Sequence, residues 1–327
     1  MRKIIICCDG TGNEYGKNNT NVVETYALAK RSATQLTFYD PGVGTGGWAY
    51  NEENRSLRAL TDKGTGAGLQ KNVSDAYAYL TKVYEGPKKD RIFLFGFSRG
   101  AFTARALAGM LHKVGLLQRD ADNHLEYAEK VYNQEDNPDV AAGFKATFCR
   151  PAPVHFIGVW DTVESLLLNE GKRWTSAGLN PEVSFGYHAL AIDEKRKDFP
   201  PSLWDESKKT PGQTIEQVWF AGVHSDVGGY HEKRGLANIS LHWMLDQAAA
   251  AGMEVDTVRL KGNDYTPSPH DESQESYTSF WRLRGRHVRR IAEGSKVHSS
   301  VWKRRGRSSN QYRPKNLPAK GKLVTVD

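Results

Sequence analysis

RIFLFGFSRGAFTARALAGML, residues 91–111, joins three patterns that belong together. Ile92, Phe93, Leu94 and Phe95 form a continuous apolar run, the signature of a strand buried on both faces. Gly96-Phe97-Ser98-Arg99-Gly100 follows at once, and Ala101 to Leu111 is a helix-forming run. A serine between glycines, at the turn from strand to helix, is the layout of a nucleophile elbow. The turn is strained, and the glycines leave room for neighbouring backbone. Ala101, Ala104 and Ala108 let the helix lie close against the sheet. Arg99, next after the serine, offers its main-chain N–H to a developing oxyanion. The G-x-S-x-G motif gains its specificity from the strand before it and the small-residue helix after it.

Outward from this stretch, strand and helix patterns alternate. Lys3 to Cys8 is a second buried-strand run, ending in Asp9-Gly10-Thr11-Gly12-Asn13. Asn21 to Arg31 has helical spacing, with Thr20 or Asn21 as its cap. Gln35 to Tyr39 reads as a short strand that leads into a glycine-rich loop at Gly42 to Gly47, which lacks the ending of a phosphate-binding loop. Leu69 to Val83 is an amphipathic helix, and His112 to Lys145 is mostly helical with a break at Asn137-Pro138. Val154 to Trp160 is a strand ending at Asp161. Glu164 to Pro181 is irregular and apolar enough to cover a site. Phe185 to Ile192 resembles a helix. Val218 to Val223 is a further strand, ending at His224, and Ile239 to Ala251 is a helix with Gly252 just past its end. Strands in alternation with helices predict an α/β fold, a mostly parallel sheet with helices on both faces. One domain is expected over residues 1–327, its core reaching about residue 252 and a basic extension running from about residue 253.

Of the 327 residues, 39% are hydrophobic and 25% charged, ordinary values for a globular chain. No apolar run approaches the roughly 20 residues that span a bilayer. Ile4 to Cys8 is too short for a signal-peptide core and no small-residue cleavage site follows, so synthesis in a reducing cytosol is expected. Cys7 and Cys8 point to opposite faces of a strand, which suits neither a disulfide framework nor a metal site. No metal or cofactor is expected. The net charge of +7 is concentrated: residues 281–307 hold ten Lys or Arg against Glu293 alone, leaving 35 basic and 37 acidic residues elsewhere. Trp281, Val288, Ile291 and Trp302 are interleaved with these charges. Arg304, Arg305 and Arg307 are candidate contacts to an anionic membrane surface, with nucleic-acid phosphates the lesser alternative and a solvated edge the plain one.

Four strands end in a polar residue: Asp9, Ser98, Asp161 and His224. Ligands of open α/β sheets bind outside the carboxyl ends of the strands, so these side chains converge on one edge. Ser, Asp, His is also the chain order of the α/β-hydrolase triad. Ser98 Oγ would attack an acyl carbon, His224 would take and return the proton, and Asp161 would orient the imidazole. Gly10 or Thr11 is the candidate for the second oxyanion donor. His270, which precedes Asp271, competes for the role of base, and Asp226 is a candidate partner for the imidazole or the substrate. Asp9 has a rival meaning as a phosphoryl-accepting nucleophile or metal ligand, weakened because Thr11 stands where a second acid is usual. A catalytically silent binding module is the remaining alternative.

CDGTGN, YDPGVGT, FGFSRGAFTARALAGML, GVWDTV and GVHSDVGG resemble the successive motifs of an α/β-hydrolase family long filed as a domain of unknown function. That family includes the phospholipase effectors of bacterial type VI secretion systems, the first lipase-effector class. The resemblance runs from about Lys3 to Ala251, with fainter echoes in VHSSV and YRPKNLP. It implies a triad of Ser98, Asp161 and His224, cleavage of phospholipid acyl esters, export by type VI secretion, and a secretion-system or immunity partner. Tyr230 stands where the family pattern leads one to expect another glycine.

Overall fold

The computed structural model describes residues 1–10, 13, 15–42, 66–134, 137–163, 178–306 and 312–327. In chain order its main elements are β1 (Arg2–Cys8), α1 (Asn21–Leu28), β2 (Gln35–Asp40), α2 (Gly66–Val83), β3 (Asp90–Phe97) and α3 (Arg99–Lys113). There follow α4 (Leu125–Asn133), α5 (Pro138–Phe148), β4 (Val154–Trp160), β5 (Phe185–Ala191), β6 (Thr214–Phe220), α6 (His224–Gly228) and α7 (Gly235–Ala250). The chain closes with α8 (Ser279–Arg284), β7 (Lys296–His298), α9 (Ser300–Gly306) and β8 (Val324–Val326).

These eight strands form one sheet in the order β8-β7-β6-β5-β4-β3-β1-β2. Every neighbouring pair in it is parallel. The chain starts inside the sheet, steps outward to β2, crosses back over β1 to β3, and then proceeds strand by strand to the other edge. Side chains alternate between the two faces, as the pleat requires. Ile4, Ile6, Cys8, Ile92 and Leu94 bury against α2 and α3. Ile5, Cys7, Phe93, Phe95 and Phe97 bury against α1 and α7. The helices that follow β1 and β3 therefore lie on opposite faces. Such a switch point opens a crevice at the carboxyl ends of the two strands, the usual ligand site of this architecture. The Asp9-Gly10 turn and Ser98 stand at its two lips.

Local signals fix several boundaries. Thr20 caps α1, its hydroxyl accepting from Val23 N at 3.2 Å. Asn137 caps α5 in front of Pro138, so the expected break is a helix start. Phe185–Ala191, with its helix-like Gly-Tyr-His-Ala-Leu-Ala sequence, is a strand instead. It pairs with β4 on one side and β6 on the other and is buried over most of its length. A strand enclosed on both faces shows no polar alternation, and the small Gly186, Ala189 and Ala191 that suggest a helix here make space for packing. Residues after 253 are no appendage to a finished core. They add β7 and β8 to the sheet, and Ile291, Val297 and Val301 pack with Leu190, Ile192 and Trp219 in a third buried cluster.

Candidate active site

Ser98 is held at φ 57° and ψ −120°, a strained conformation for a residue with a side chain. The elbow depends on close backbone approach. A Cβ on Gly96 would lie 2.4 Å from Gly100 O, and one on Gly100 would lie 2.1 Å from Cys8 O. Without those methyls the first turn of α3 sits directly on the end of β1. Arg99 is the first residue of that helix, so its main-chain N–H stands at the helix start directly after the serine. Burial lowers its guanidinium to about 10.

Asp161 leaves β4 at φ 40° with its side chain buried. Its Oδ2 accepts from His224 Nδ1 at 2.6 Å, and its Oδ1 accepts from Ala191 N at 2.9 Å. A residue far along the chain completes the arrangement. Arg289 donates to Asp161 Oδ1 at 2.5 Å and to Oδ2 at 2.9 Å, and is itself 1% exposed. Burial alone would push the Asp161 carboxyl up. The Arg289 guanidinium, followed by His224, outweighs it and holds the carboxyl well below the usual carboxylate range. His224, in the first residue of α6, is lowered by burial, with the Asp161 bond acting against that shift. At neutral pH the imidazole is therefore neutral, and the carboxylate beside Nδ1 fixes the tautomer that leaves Nε2 unprotonated.

The elbow and the imidazole are neighbours. Phe97, one residue before Ser98, lies 4.6 Å from the His224 ring centroid to centroid. A Cβ on Gly228 would fall 2.0 Å from the Phe97 ring, so α6 reaches this strand only because that position is glycine. Phe199 covers another side of the imidazole at 5.1 Å, and Trp281 packs edge-on against Phe199 at 5.3 Å. Glu194, buried, accepts from His224 N at 3.3 Å and pairs with Arg196. Burial pushes Glu194 up, but Arg196 more than offsets it and brings the carboxyl down to about 2.

Other sequence-nominated residues have structural duties. Gly10 lies beside the elbow, where a Cβ would stand 3.5 Å from Ser98 Cβ, but its N–H donates to Asp9 Oδ1 at 2.7 Å. That N–H is thus committed to Asp9 and does not point free toward the serine; Thr11 lies outside the described residues. Asp9 is buried and also accepts from Asn13 Nδ2 at 3.1 Å, Thr20 Oγ1 at 2.6 Å and Tyr39 Oη at 3.0 Å. Asp226 accepts from Val223 N and Ser273 Oγ rather than from the imidazole. Among the described residues His224, not His270, bonds Asp161. Arg304 is 6% exposed and donates to the carbonyls of Pro269 and Asp271, so it faces inward and not toward a membrane. Arg305 is half-buried, and Arg307 and residues 164–177 lie outside the described residues. Arg289 gave no motif. Its signal was indirect: a buried aspartate after a strand calls for a cation, and the surplus cations lie in residues 281–307.

A parallel sheet with a strained serine at its switch point and a buried aspartate–histidine pair beside it defines an α/β-hydrolase-like class of protein. Within that class, the chain belongs to the family described as T6SS, phospholipase effector Tle1-like, catalytic domain, whose profile matches residues 2–247. It is similar to the uncharacterized protein YEL023C of Saccharomyces cerevisiae, 32% identical over 219 residues that make up 61% of this chain and 32% of that protein. A solved uncharacterized protein from Pseudomonas aeruginosa has a TM-score of 0.47 and 19% identity, covering 82% of this chain and 49% of the other. The structure of the Tle1 effector bound to the VgrG spike of the type 6 secretion system has a TM-score of 0.39 and 17% identity, covering 70% and 51%. The chain thus spans 32% of the length of the yeast relative and about half of each solved chain, 49% and 51%.

Proposed function

We propose that this protein is a serine esterase that cleaves the acyl esters of phospholipids. Ser98 Oγ attacks the acyl carbon while His224 Nε2 takes its proton. The main-chain N–H of Arg99 receives the developing oxyanion, with Thr11 the second donor nominated by the sequence. His224 then returns the proton to the leaving alcohol, and water repeats the sequence on the acyl-enzyme. Asp161 stays ionised and stabilises the imidazolium. The observation that carries this reading is the buried 2.6 Å bond from His224 Nδ1 to Asp161, at the sheet edge that bears the strained serine. Family membership supplies the lipid. The rival use of Asp9 as a phosphoryl acceptor is disfavoured because four donors already occupy its two oxygens.

Ser98→Ala should abolish hydrolysis of short-chain p-nitrophenyl esters and of phospholipid, with an unchanged circular-dichroism spectrum. Full activity in that variant would end the proposal. A phospholipase must also reach a lipid surface. The rim beyond Trp281 carries Leu283, 90% exposed, and Val288, 50% exposed, among the exposed Arg282, Arg286 and Arg290. This is the face we assign to an anionic bilayer. Arg282, Arg286 and Arg290 changed together to Gln should weaken co-sedimentation with anionic vesicles; undiminished, salt-insensitive binding would remove the assignment. Export by type VI secretion, with a spike or immunity partner, rests on the family description alone. It predicts that the chain directed to a bacterial periplasm arrests growth only while Ser98 is intact, and harmless periplasmic expression of the active protein would count against it.

A further inference from the structure

Arg289 does more than neutralise a buried charge. Its two terminal nitrogens grip both oxygens of Asp161, and Oδ2 is the oxygen that also receives His224 Nδ1. The same nitrogens donate to Ala191 O at 2.8 Å and to Phe199 O at 2.8 Å. Ala191 N returns a bond to Asp161 Oδ1, and the Phe199 ring walls the imidazole. One guanidinium thus ties together the carboxylate, the end of β5 and the residue packed on the base. The segment that carries it is anchored along its length. His287 N donates to Lys195 O at 2.8 Å, and Asn316 Nδ2 reaches both Ile192 O and Arg289 O, at 2.9 and 3.1 Å. Flanking Val288 and Arg290 are exposed, so among the described residues of this basic run it is Arg289 that turns into the site.

We propose that Arg289 is a positioning residue of the hydrolytic reaction, acting through Asp161: it locks the carboxylate in the orientation that bonds His224 Nδ1 and places a fixed positive charge behind it. This rests on the serine-esterase reading. A planar fork suits the task, because two parallel N–H···O bonds define an orientation that a point charge does not. The charge has a second consequence. Arg289 partly cancels the pull of Asp161 on a protonated imidazole, so His224 keeps its free base to lower pH than an isolated Asp–His pair would. The other groups around the imidazole are Glu194 and Arg196 from the loop after β5, which pair with each other, and His231, which faces the charge of Asp226, beyond α6.

The test is the rate at which a fluorophosphonate labels Ser98 as a function of pH, a reaction in which the Oγ–P bond forms as fluoride leaves. It requires no knowledge of the natural ester. In Arg289→Met the maximal labelling rate should fall about 10- to 100-fold. Its acid limb should also move up by about one pH unit. Arg289→Lys, which keeps the charge but not the fork, should hold the acid limb in place and lose rate through kinact with KI unchanged. A folded Arg289→Met with wild-type rate and acid limb would overturn the proposal, as would a loss of rate with an unmoved limb, which marks a merely structural role. If the Met variant does not fold, Arg289→Lys decides alone, and a wild-type kinact there overturns it. An unlabelled wild type removes the hydrolase reading and this one with it, whereas a labelled wild type with indifferent variants removes this one alone.

Discussion

Asp9 and Asp161 end neighbouring parts of the same sheet edge, one after β1 and one after β4, and both are almost completely buried. Their protonation goes in opposite directions. Burial drives Asp9 up to about 6, even though Thr20, Asn13, Gly10 and Tyr39 all donate to it. Asp161, buried at least as deeply, is held well below the usual range because Arg289 and His224 face it. A full set of neutral donors satisfies the lone pairs of a buried carboxylate without restoring the solvation of its charge; a cation does so. The difference sorts the two residues by use. Asp9 is a scaffold that clamps the turn after β1 and the start of α1. Asp161 stays ionised, which is the state the proposed role of orienting and stabilising an imidazolium requires.

Asp161→Asn should break the contrast most severely. It exposes His224 Nδ1 to an amide that can favour the wrong tautomer, and loss of ester hydrolysis by about 10⁴-fold is expected. It also leaves Arg289 buried without its partner, at a cost of about 3 kcal/mol or more in stability. A hydrolysis rate within tenfold of wild type, measured on a protein shown to be folded, would show that the carboxylate is dispensable (about 1.4 kcal/mol of barrier).

The same contrast was only partly visible in the sequence. The positions of Ser98, Asp161 and His224 could be read because each is a polar residue that ends an apolar strand run. Chain order then suggested the roles proposed for them. The scaffold duty of Asp9 could not be read, since its donors Thr20 and Tyr39 arrive from α1 and β2 through tertiary packing. Nor could the bond from Gly10 N to Asp9, which depends on the local direction of one N–H. Strand β5 was hidden by a composition that suits a helix equally well. Arg289 was hidden among ten similar charges, because a side chain that turns inward from a basic run looks like its neighbours in sequence.

Stability against pH sharpens the comparison, because the two carboxylates should have slopes of opposite sign. Asp9 has a folded pKa raised from 3.8 to about 6, so its contribution is fully present below about pH 4 and is lost as pH rises through 6. The stability of wild type relative to Asp9→Asn should therefore fall between pH 4 and pH 7, by on the order of 2–3 kcal/mol. Asp161 has a lowered folded pKa, so its contribution is present above about pH 4 and lost below it. Wild type relative to Asp161→Asn should gain as pH rises from about 3 to 5 and then level off. Urea midpoints of the three proteins across this range supply the measurement. Parallel curves for the two variants would mean that Arg289 does not distinguish the sites.

The smallest effect isolates one donor. Tyr39 Oη gives Asp9 Oδ2 a 3.0 Å hydrogen bond, and its ring also packs against Tyr26 at 5.5 Å. Tyr39→Phe keeps the ring and removes only the hydroxyl. At pH 7 the lost bond is one to a charged carboxylate, worth about 1.5–3 kcal/mol, whereas a bond between neutral partners is worth about 1 kcal/mol. Because Asp9 titrates near 6, it is mostly neutral at pH 5. The destabilisation caused by Tyr39→Phe should accordingly shrink by about half on going from pH 7 to pH 5. Ester hydrolysis should change by less than about threefold, since Asp9 serves the scaffold and not the reacting atoms. A cost that stays constant over that interval would mean that Asp9 keeps its charge at pH 5. Its neutral donors would then be holding an ion as effectively as Arg289 holds Asp161, and the contrast between the two strand ends would have to rest on geometry alone.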